Sequence, residues 1–194
     1  MNQLHFMKTS KILLTTLIVL CMSGYAYAQN PVKGKSGFGP RIGYYKAPDA
    51  DDGTMFIGLQ TRSRGEIFGF ELAAEYRGEQ DYTVGGGKVT VSQIPVTGSL
   101  MIFVPIAPNF QPYGLAGLGA YYTIYDYDGG FVSPGDDSEV NLGYHLGFGL
   151  DMPLSSSAAL NVDYRYLFLD GNEDRISEKE FSGNVISAGL TFYF

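Results

Sequence analysis

The sequence predicts an all-β protein, an eight-stranded antiparallel up-and-down transmembrane β-barrel. Apolar residues alternate with glycine, polar or charged residues in eight successive segments, and a period of two is typical of strands. The connections alternate between short and long, as in barrels with tight turns at one end and loops at the other. The more continuous face is apolar and aromatic, whereas the other carries glycine and charge. This pattern suits lipid outside and a narrow packed lumen inside.

The first 28 residues have the features of a cleaved secretory signal peptide. Lys8 and Lys11 precede the apolar run Ile12 to Cys21, and Ala26-Tyr27-Ala28 supplies small residues for cleavage. The run is too short for a spanning helix. Cys21 is the only cysteine, and Leu20 before it does not fit a lipoprotein signal. The exported chain is therefore expected to contain neither disulfides nor thiolate metal sites.

Four predicted strands follow a short polar lead at residues 29–36. The first runs from Gly37 to Tyr45, the second presents Met55, Ile57 and Leu59 on its apolar face, the third spans Phe68 to Arg77, and the fourth spans Gln93 to Ile102. Polar loops are predicted at Ala47 to Gly53 and Gly78 to Gly87, with a turn at Ser63 to Gly65 and a short connection at Pro105 to Asn109.

The other four predicted strands complete the barrel. They are Gln111 to Tyr125, Asn141 to Asp151, Leu160 to Phe168 and Val185 to Phe194. Glycines interrupt both faces of the fifth strand, so its facing is ambiguous. Long loops are predicted at Asp126 to Glu139 and Asp170 to Gly183, and a turn at Met152 to Ser157. The last strand is expected to pair with the first, because an unpaired apolar edge promotes aggregation.

Composition and charge limit the classes of function. Hydrophobic residues form 45% of the chain, and 15 Tyr, 13 Phe and 26 Gly favour strands over helices. Two of the 13 basic residues lie in the leader, so 11 basic residues face 20 acidic ones in the remaining chain. This acidic balance argues against nucleic acid as a partner.

A soluble eight-stranded barrel of the lipocalin type is the alternative fold. Its apolar face would point inward and its charged face outward. The terminal Phe194 and the alternation of loop lengths favour the membrane barrel instead.

The segments Pro112 to Gly119 and Asn161 to Tyr166, together with Phe194, give the chain a family likeness. It resembles the small bacterial outer membrane β-barrel proteins: the OmpA transmembrane domain, OmpX and the opacity proteins. The resemblance covers residues 37–194. The alternation of loop lengths predicts that both termini are periplasmic, so residues 29–36 are expected to form a short periplasmic lead. The resemblance implies that Phe192 and Phe194 form the signal read by the barrel-assembly machinery, and that peptidoglycan anchoring is not expected. Members serve as structural proteins, adhesins or serum-resistance factors.

Charged residues on the inward face are the candidate site. Four arginines, Arg41, Arg62, Arg77 and Arg165, oppose Glu71, Glu75 and Asp163, with Asp151 at the rim. Ionisable groups at membrane depth are costly unless paired. An eight-stranded interior is only just wide enough for side chains to fill. We therefore expect a plugged, salt-bridged lumen, with a conducting pore as the alternative.

His145 is the only histidine after the leader. A turn centred near Leu154 would place it opposite Asp163, and such a pair could orient a histidine for acid-base chemistry. A lipid-modifying enzyme would also need a nearby serine, and no Gly-x-Ser-x-Gly sequence is present. His145 is therefore interpreted as a hydrogen-bonded member of the polar network.

No catalytic residues, cofactor or metal ligands are predicted. Asp49-Ala50-Asp51-Asp52-Gly53 lacks the ligand spacing of a calcium loop. The predicted function is therefore that of a monomeric integral outer membrane protein acting through its loops in envelope structure or adhesion. Expected partners are outer membrane lipid, lipopolysaccharide, the assembly machinery and host or envelope surface molecules. A narrow porin and a lipid-modifying barrel enzyme are the alternatives.

Overall fold

The computed structural model describes residues 30–84, 87–128, 137–169 and 181–194. Eight antiparallel strands form a closed barrel in which each strand pairs with its sequence neighbours, which confirms the predicted fold class. The strands are β1 (Lys35–Lys46), β2 (Thr54–Arg64), β3 (Phe68–Val84), β4 (Gly87–Phe103), β5 (Gln111–Asp128), β6 (Asp137–Pro153), β7 (Ala158–Leu169) and β8 (Gly183–Tyr193). The described ranges contain no helix long and apolar enough to cross a membrane. The predicted signal peptide lies outside the described residues.

The barrel closes between its first and last strands. Gly37 pairs with Tyr193 and Lys46 with Asn184, so β8 lies against β1 as the sequence predicts. The terminal residue extends this seam, because the Phe194 N–H donates to the Ser36 carbonyl at 3.0 Å. We call the end of the barrel at which β1 begins, β8 ends and the three short connections lie the terminal end, and the opposite end the loop end.

The distribution of exposed and buried residues is inverted relative to a soluble protein. Leu142 is 75% exposed on the outer wall, whereas Arg41 is 1% exposed inside the barrel. Soluble proteins bury leucine and rarely bury arginine without partners. The outer wall therefore has the chemistry of a lipid-facing surface, and the lipocalin-like alternative is excluded.

The hairpins at the loop end are longer than the sequence predicts. The regions Gly78 to Gly87 and Asp126 to Glu139 were expected to be loops, but strands occupy most of the first and both ends of the second. A register shift between Arg77 and Gln80 marks a bulge where β3 continues against β4. The reason is physical: beyond the bilayer a strand still gains its backbone hydrogen bonds, but it no longer needs an apolar face.

The ambiguous fifth strand has a definite orientation in the barrel. Its buried side chains are Gln111, Tyr113, Leu115, Tyr121 and Thr123, while Leu118 and Tyr122 are exposed. Small residues between these positions hide the alternation in the sequence, although the inward positions keep a strict period of two.

The polar lead folds back into the terminal end. Val32 is fully buried in a cluster with Ala159 and Tyr193. Gly34 makes this turn with a φ of 77°, a conformation that glycine adopts without strain, and its N–H donates to the Arg64 carbonyl at 2.6 Å. The residues just before β1 therefore cover one mouth of the barrel.

Candidate functional site: the barrel lumen

A belt of buried charge fills the middle of the barrel. In the described residues it contains five arginines and four carboxylates, all on inward positions of five strands. We call this set the ionic belt: Arg41, Arg62, Arg64, Arg77, Arg165, Glu71, Glu75, Asp151 and Asp163.

Glu71 is the shared acceptor of the ionic belt. Its carboxylate lies 2.5 Å from Arg62 Nη2, 2.7 Å from Arg165 Nη2 and 3.0 Å from Arg41 Nη1. These arginines come from β2, β7 and β1, so one side chain of β3 connects three other strands across the lumen. A carboxylate with several charge-assisted bonds offsets the cost of burying the ions.

Asp163 is the second acceptor. It accepts from Arg165 Nε at 2.5 Å, from the Ser187 hydroxyl at 3.0 Å and from the Tyr113 hydroxyl at 3.1 Å. Arg62 lies 3.5 Å away. Neutral and charged donors therefore share this carboxylate, and β5 and β8 join the network through it.

The remaining ion pairs lie toward the two ends. Arg77 pairs with Glu75 at 3.1 Å toward the loop end. Toward the terminal end, Asp151 lies 3.6 Å from Arg62 and 3.9 Å from Arg64. The sequence predicts a turn at Ser63 to Gly65, so Arg64 was not predicted to lie in the lumen. Arg64 is the last residue of β2. Because it lies two residues after Arg62, its side chain faces the lumen as that of Arg62 does, and this spacing in the sequence could have identified it.

Aromatic and aliphatic clusters lie inside the barrel on both sides of the ionic belt. At the loop end the cluster comprises Tyr45, Ala47, Ala50, Phe56, Val91, Tyr121, Leu167, Leu169, Phe181 and Val185. At the terminal end it comprises Met101, Phe103, Tyr113 and Leu115. Arg77 stacks over the Tyr45 ring at 4.3 Å and joins the belt to the loop-end cluster. The alternation in the sequence predicts glycine and charge on the inward face, and these apolar layers were not predicted.

His145 does not lie beside Asp163 as expected. It pairs with Leu167, whereas Asp163 pairs with Gly149. The last pair before the turn is Pro153 with Ala159, so the turn centres on Ser156 rather than Leu154. A shift of the turn centre by two residues moves the cross-strand partner by four.

The observed partner of His145 on β6 is a serine of β4, on the other side of the intervening strand β5. Ser99 Oγ lies 2.8 Å from His145 Nε2, and Arg165 Nη1 donates to Ser99 Oγ at 3.5 Å. Both Ser99 and His145 are buried. The adjoining cavity, lined by residues including Glu75, Thr97 and Tyr121, is only about 10 Å³, which holds about one water molecule.

Two further points concern metal binding and the predicted assembly signal. No cluster of three or more His, Cys, Asp or Glu suited to a metal occurs within the described ranges. Phe192 and Phe194 point outward near the terminal end, and the Phe194 ring is 6.3 Å from that of Phe38. These two residues therefore belong to the aromatic surface that a bilayer interface favours.

The barrel is similar to several small outer membrane proteins of known structure. OprG of Pseudomonas aeruginosa matches with a TM-score of 0.52 at 21% identity, over 86% of this chain and 99% of that one. OprH of P. aeruginosa matches with a TM-score of 0.51 at 23% identity, over 82% and 99%. Ail, the attachment invasion locus protein of Yersinia pestis, matches with a TM-score of 0.51 at 15% identity, over 84% and 99%.

At these identities the likeness concerns the fold. No curated protein sequence matches significantly. The family described as outer membrane protein beta-barrel domain matches residues 12–194. The sequence match spans every strand of the closed barrel. The apolar outer wall of the barrel fits an outer membrane protein. This chain belongs to the outer membrane protein beta-barrel domain family.

Proposed function

We propose that the protein is an integral outer membrane barrel with a closed lumen, which acts through its loop end in envelope structure or surface adhesion. The observation that carries the proposal is the filled interior, where the ionic belt lies between two apolar clusters. A filled lumen leaves the outer wall and the loops as the surfaces available for function. Outer membrane lipid, lipopolysaccharide and host or envelope surface molecules are the partners that such surfaces suit.

Conductance tests the closed lumen against the narrow-porin alternative. The protein is reconstituted into a planar bilayer and its current is recorded. We expect no steady open channel, because the ionic belt and both clusters occupy the cross-section. A stable, reproducible single-channel current from the purified protein would contradict the proposal in favour of the porin.

Loop deletions test the surface role. Each loop-end connection is replaced in turn by a short turn, and the variants are screened for binding to host cells and to lipopolysaccharide. Loss of binding in one variant, with an intact barrel in detergent, supports the proposal. A variant with all loops shortened that behaves like the wild type in every binding assay contradicts it.

The enzyme alternative is favoured by one observation, the 2.8 Å contact between Ser99 Oγ and His145 Nε2. Its burial opposes this alternative, because an acyl chain has no room in a cavity of about 10 Å³. We expect His145→Ala to retain surface binding and to leave the lipid A acylation pattern of the cells unchanged. A changed acylation pattern, measured by mass spectrometry of extracted lipid A, would establish the enzyme instead.

A further inference from the structure

On the outer wall beside the β1–β8 seam, residues that pair across neighbouring strands form rows. At the loop end Tyr166 pairs with Asn184, which pairs with Lys46 of β1. Further along the wall, Ala188 pairs with Ile42 on one side and with Val162 on the other. The same strip of wall therefore carries polar groups at the loop end and small or aliphatic groups toward its middle. We call it the seam face.

The polar row of the seam face presents hydrogen-bond donors. Lys46 and Asn184 are exposed and directly opposite each other. The Asn184 Oδ1 atom accepts from the Tyr164 hydroxyl at 2.5 Å, so the amide NH₂ group can donate to a ligand. An ammonium beside an amide donor suits a phosphate.

The acidic loop after Lys46 turns away from this row. Ala47 and Ala50 are buried in the loop-end cluster. The Asp51 N–H donates to the Asp81 carbonyl at 3.1 Å, and Gln80 donates to the Asp52 carbonyl at 3.0 Å. These bonds hold Asp51 and Asp52 against β3, on the side of β1 away from Asn184. Lys46 itself pairs directly with Asn184 of β8.

A groove lies on the same face toward the middle of the wall. It has a volume of about 230 Å³, and its lining includes Pro40, Ile42, Leu160, Ala188 and Leu190. Ala188 is small beside the exposed Ile186 and Phe192 of the same strand.

Pro40 adds to the depression. It has no N–H for the ladder, and the β1–β8 register skips Gly39 and Pro40 whereas the β1–β2 register runs through both. The groove is thus a local feature of the seam rather than a general property of the wall.

The distance between the polar row and the groove is similar to the distance between the phosphate and the acyl chains of a lipid. Ala188 lies four residues after Asn184, a distance of roughly 13 Å along a strand. A phosphate held at the loop-end rim would therefore place its acyl chains at the depth of the groove.

We propose that the seam face binds one phosphorylated lipid of the leaflet at the loop end. Lys46 and Asn184 hold the phosphate, and one acyl chain occupies the groove over Pro40 and Ala188. The proposal rests on the outer membrane location proposed above, where lipopolysaccharide supplies phosphates and acyl chains in that leaflet.

Two matched pairs of variants test the site. Lys46→Gln removes the charge at the row, and Lys33→Gln removes an exposed lysine at the terminal end. Ala188→Phe fills the groove, and Ala74→Phe adds the same bulk to an exposed position on β3. Each protein is placed in phosphatidylcholine nanodiscs containing bisphosphorylated lipid A, and the lipid A retained per barrel is measured by native mass spectrometry.

Lys46→Gln is expected to lower lipid A retention about fivefold, the factor for losing one basic residue near an anionic membrane surface. Ala188→Phe is expected to abolish the enrichment of lipid A over phosphatidylcholine. Both controls should retain lipid A like the wild type. Retention unchanged in Lys46→Gln or in Ala188→Phe, or equal losses in the controls, would overturn the proposal.

Heat-modifiable migration and cell fractionation separate this inference from the proposed function. A heat-modifiable protein in the outer membrane fraction that shows no specific lipid A retention rejects the seam site alone. A protein absent from that fraction rejects the proposed location.

Discussion

At the scale of single residues, Glu71 is the position on which the ionic belt depends. Its carboxylate contacts three arginines from three strands. Removing one partner of a buried ion pair costs more than the pair itself contributes, because the remaining charge stays buried without compensation. The belt is therefore more sensitive at its shared acceptor than at any member with a single partner.

We expect Glu71→Gln to lower the free energy of unfolding by about 3 to 5 kcal/mol, measured by urea titration of the barrel in lipid vesicles. Glu66→Gln is the matched control. Glu66 pairs with Lys33 at 3.0 Å, but both side chains are at least half exposed, and such pairs contribute about 0 to 1 kcal/mol. Similar losses in the two variants would contradict the role of the ionic belt in stability.

The polar part of the lumen also shows which features the alternation of residues in a strand predicts and which it does not. The alternation of apolar and polar residues assigns Arg41, Glu71 and Asp163 to the inward face, because the facing of a side chain depends only on the strand period of two. Partners depend on register, which turns determine, and the His145 pairing was wrong for that reason. Arg64 was missed because a polar residue next to Gly65 fits a turn as well as a strand end.

At the scale of strands, the seam between β1 and β8 has a close approach of backbones. A Cβ added at Gly39 would overlap the Leu190 carbonyl oxygen, whereas one added at Gly114 would meet no atom within 4 Å. Glycine at position 39 therefore allows the first and last strands to come together beside Pro40.

We expect Gly39→Ala to force the seam apart and to lower the free energy of unfolding by about 1 to 3 kcal/mol, the usual cost of overpacking. Gly114→Ala, the same substitution on an open wall, should leave the urea midpoint near that of the wild type. A Gly39→Ala protein with an unchanged midpoint would show that the seam tolerates a wider spacing.

Strand lengths were the least predictable feature of the elements. The sequence predicts the segments within the bilayer, where lipid requires one apolar face. Beyond it, β3 to β6 continue through polar residues such as Glu79, Asp81 and Thr90, for which alternation carries no signal. The Thr90 hydroxyl donates to Asp81 at 3.0 Å, a contact across the extended β3–β4 hairpin.

At the scale of the whole molecule, closure of the barrel depends on the last strand. Every strand before β8 pairs with a sequence neighbour, whereas β8 must also find β1 across the full length of the chain. The outward Phe192 and Phe194 lie at the end of this strand, where the family resemblance implies recognition by the assembly machinery.

Deletion of Phe194 is therefore expected to reduce the heat-modifiable barrel in outer membranes several-fold, while protein refolded into detergent keeps its thermal stability. Phe38→Ala removes the neighbouring aromatic ring without altering the chain end and serves as the control. Equal outer membrane levels of the deletion variant and the wild type would contradict an assembly role for the terminal residue.

The buried Val32 has a consequence for maturation. If the leader is removed after Ala28, as the sequence predicts, only three residues remain ahead of this side chain. Val32 lies in a cluster with Ala159 and Tyr193, whereas Pro31 beside it is exposed. The segment that covers the terminal end is therefore one that the predicted cleavage leaves in place, and we expect the mature protein to keep this cover.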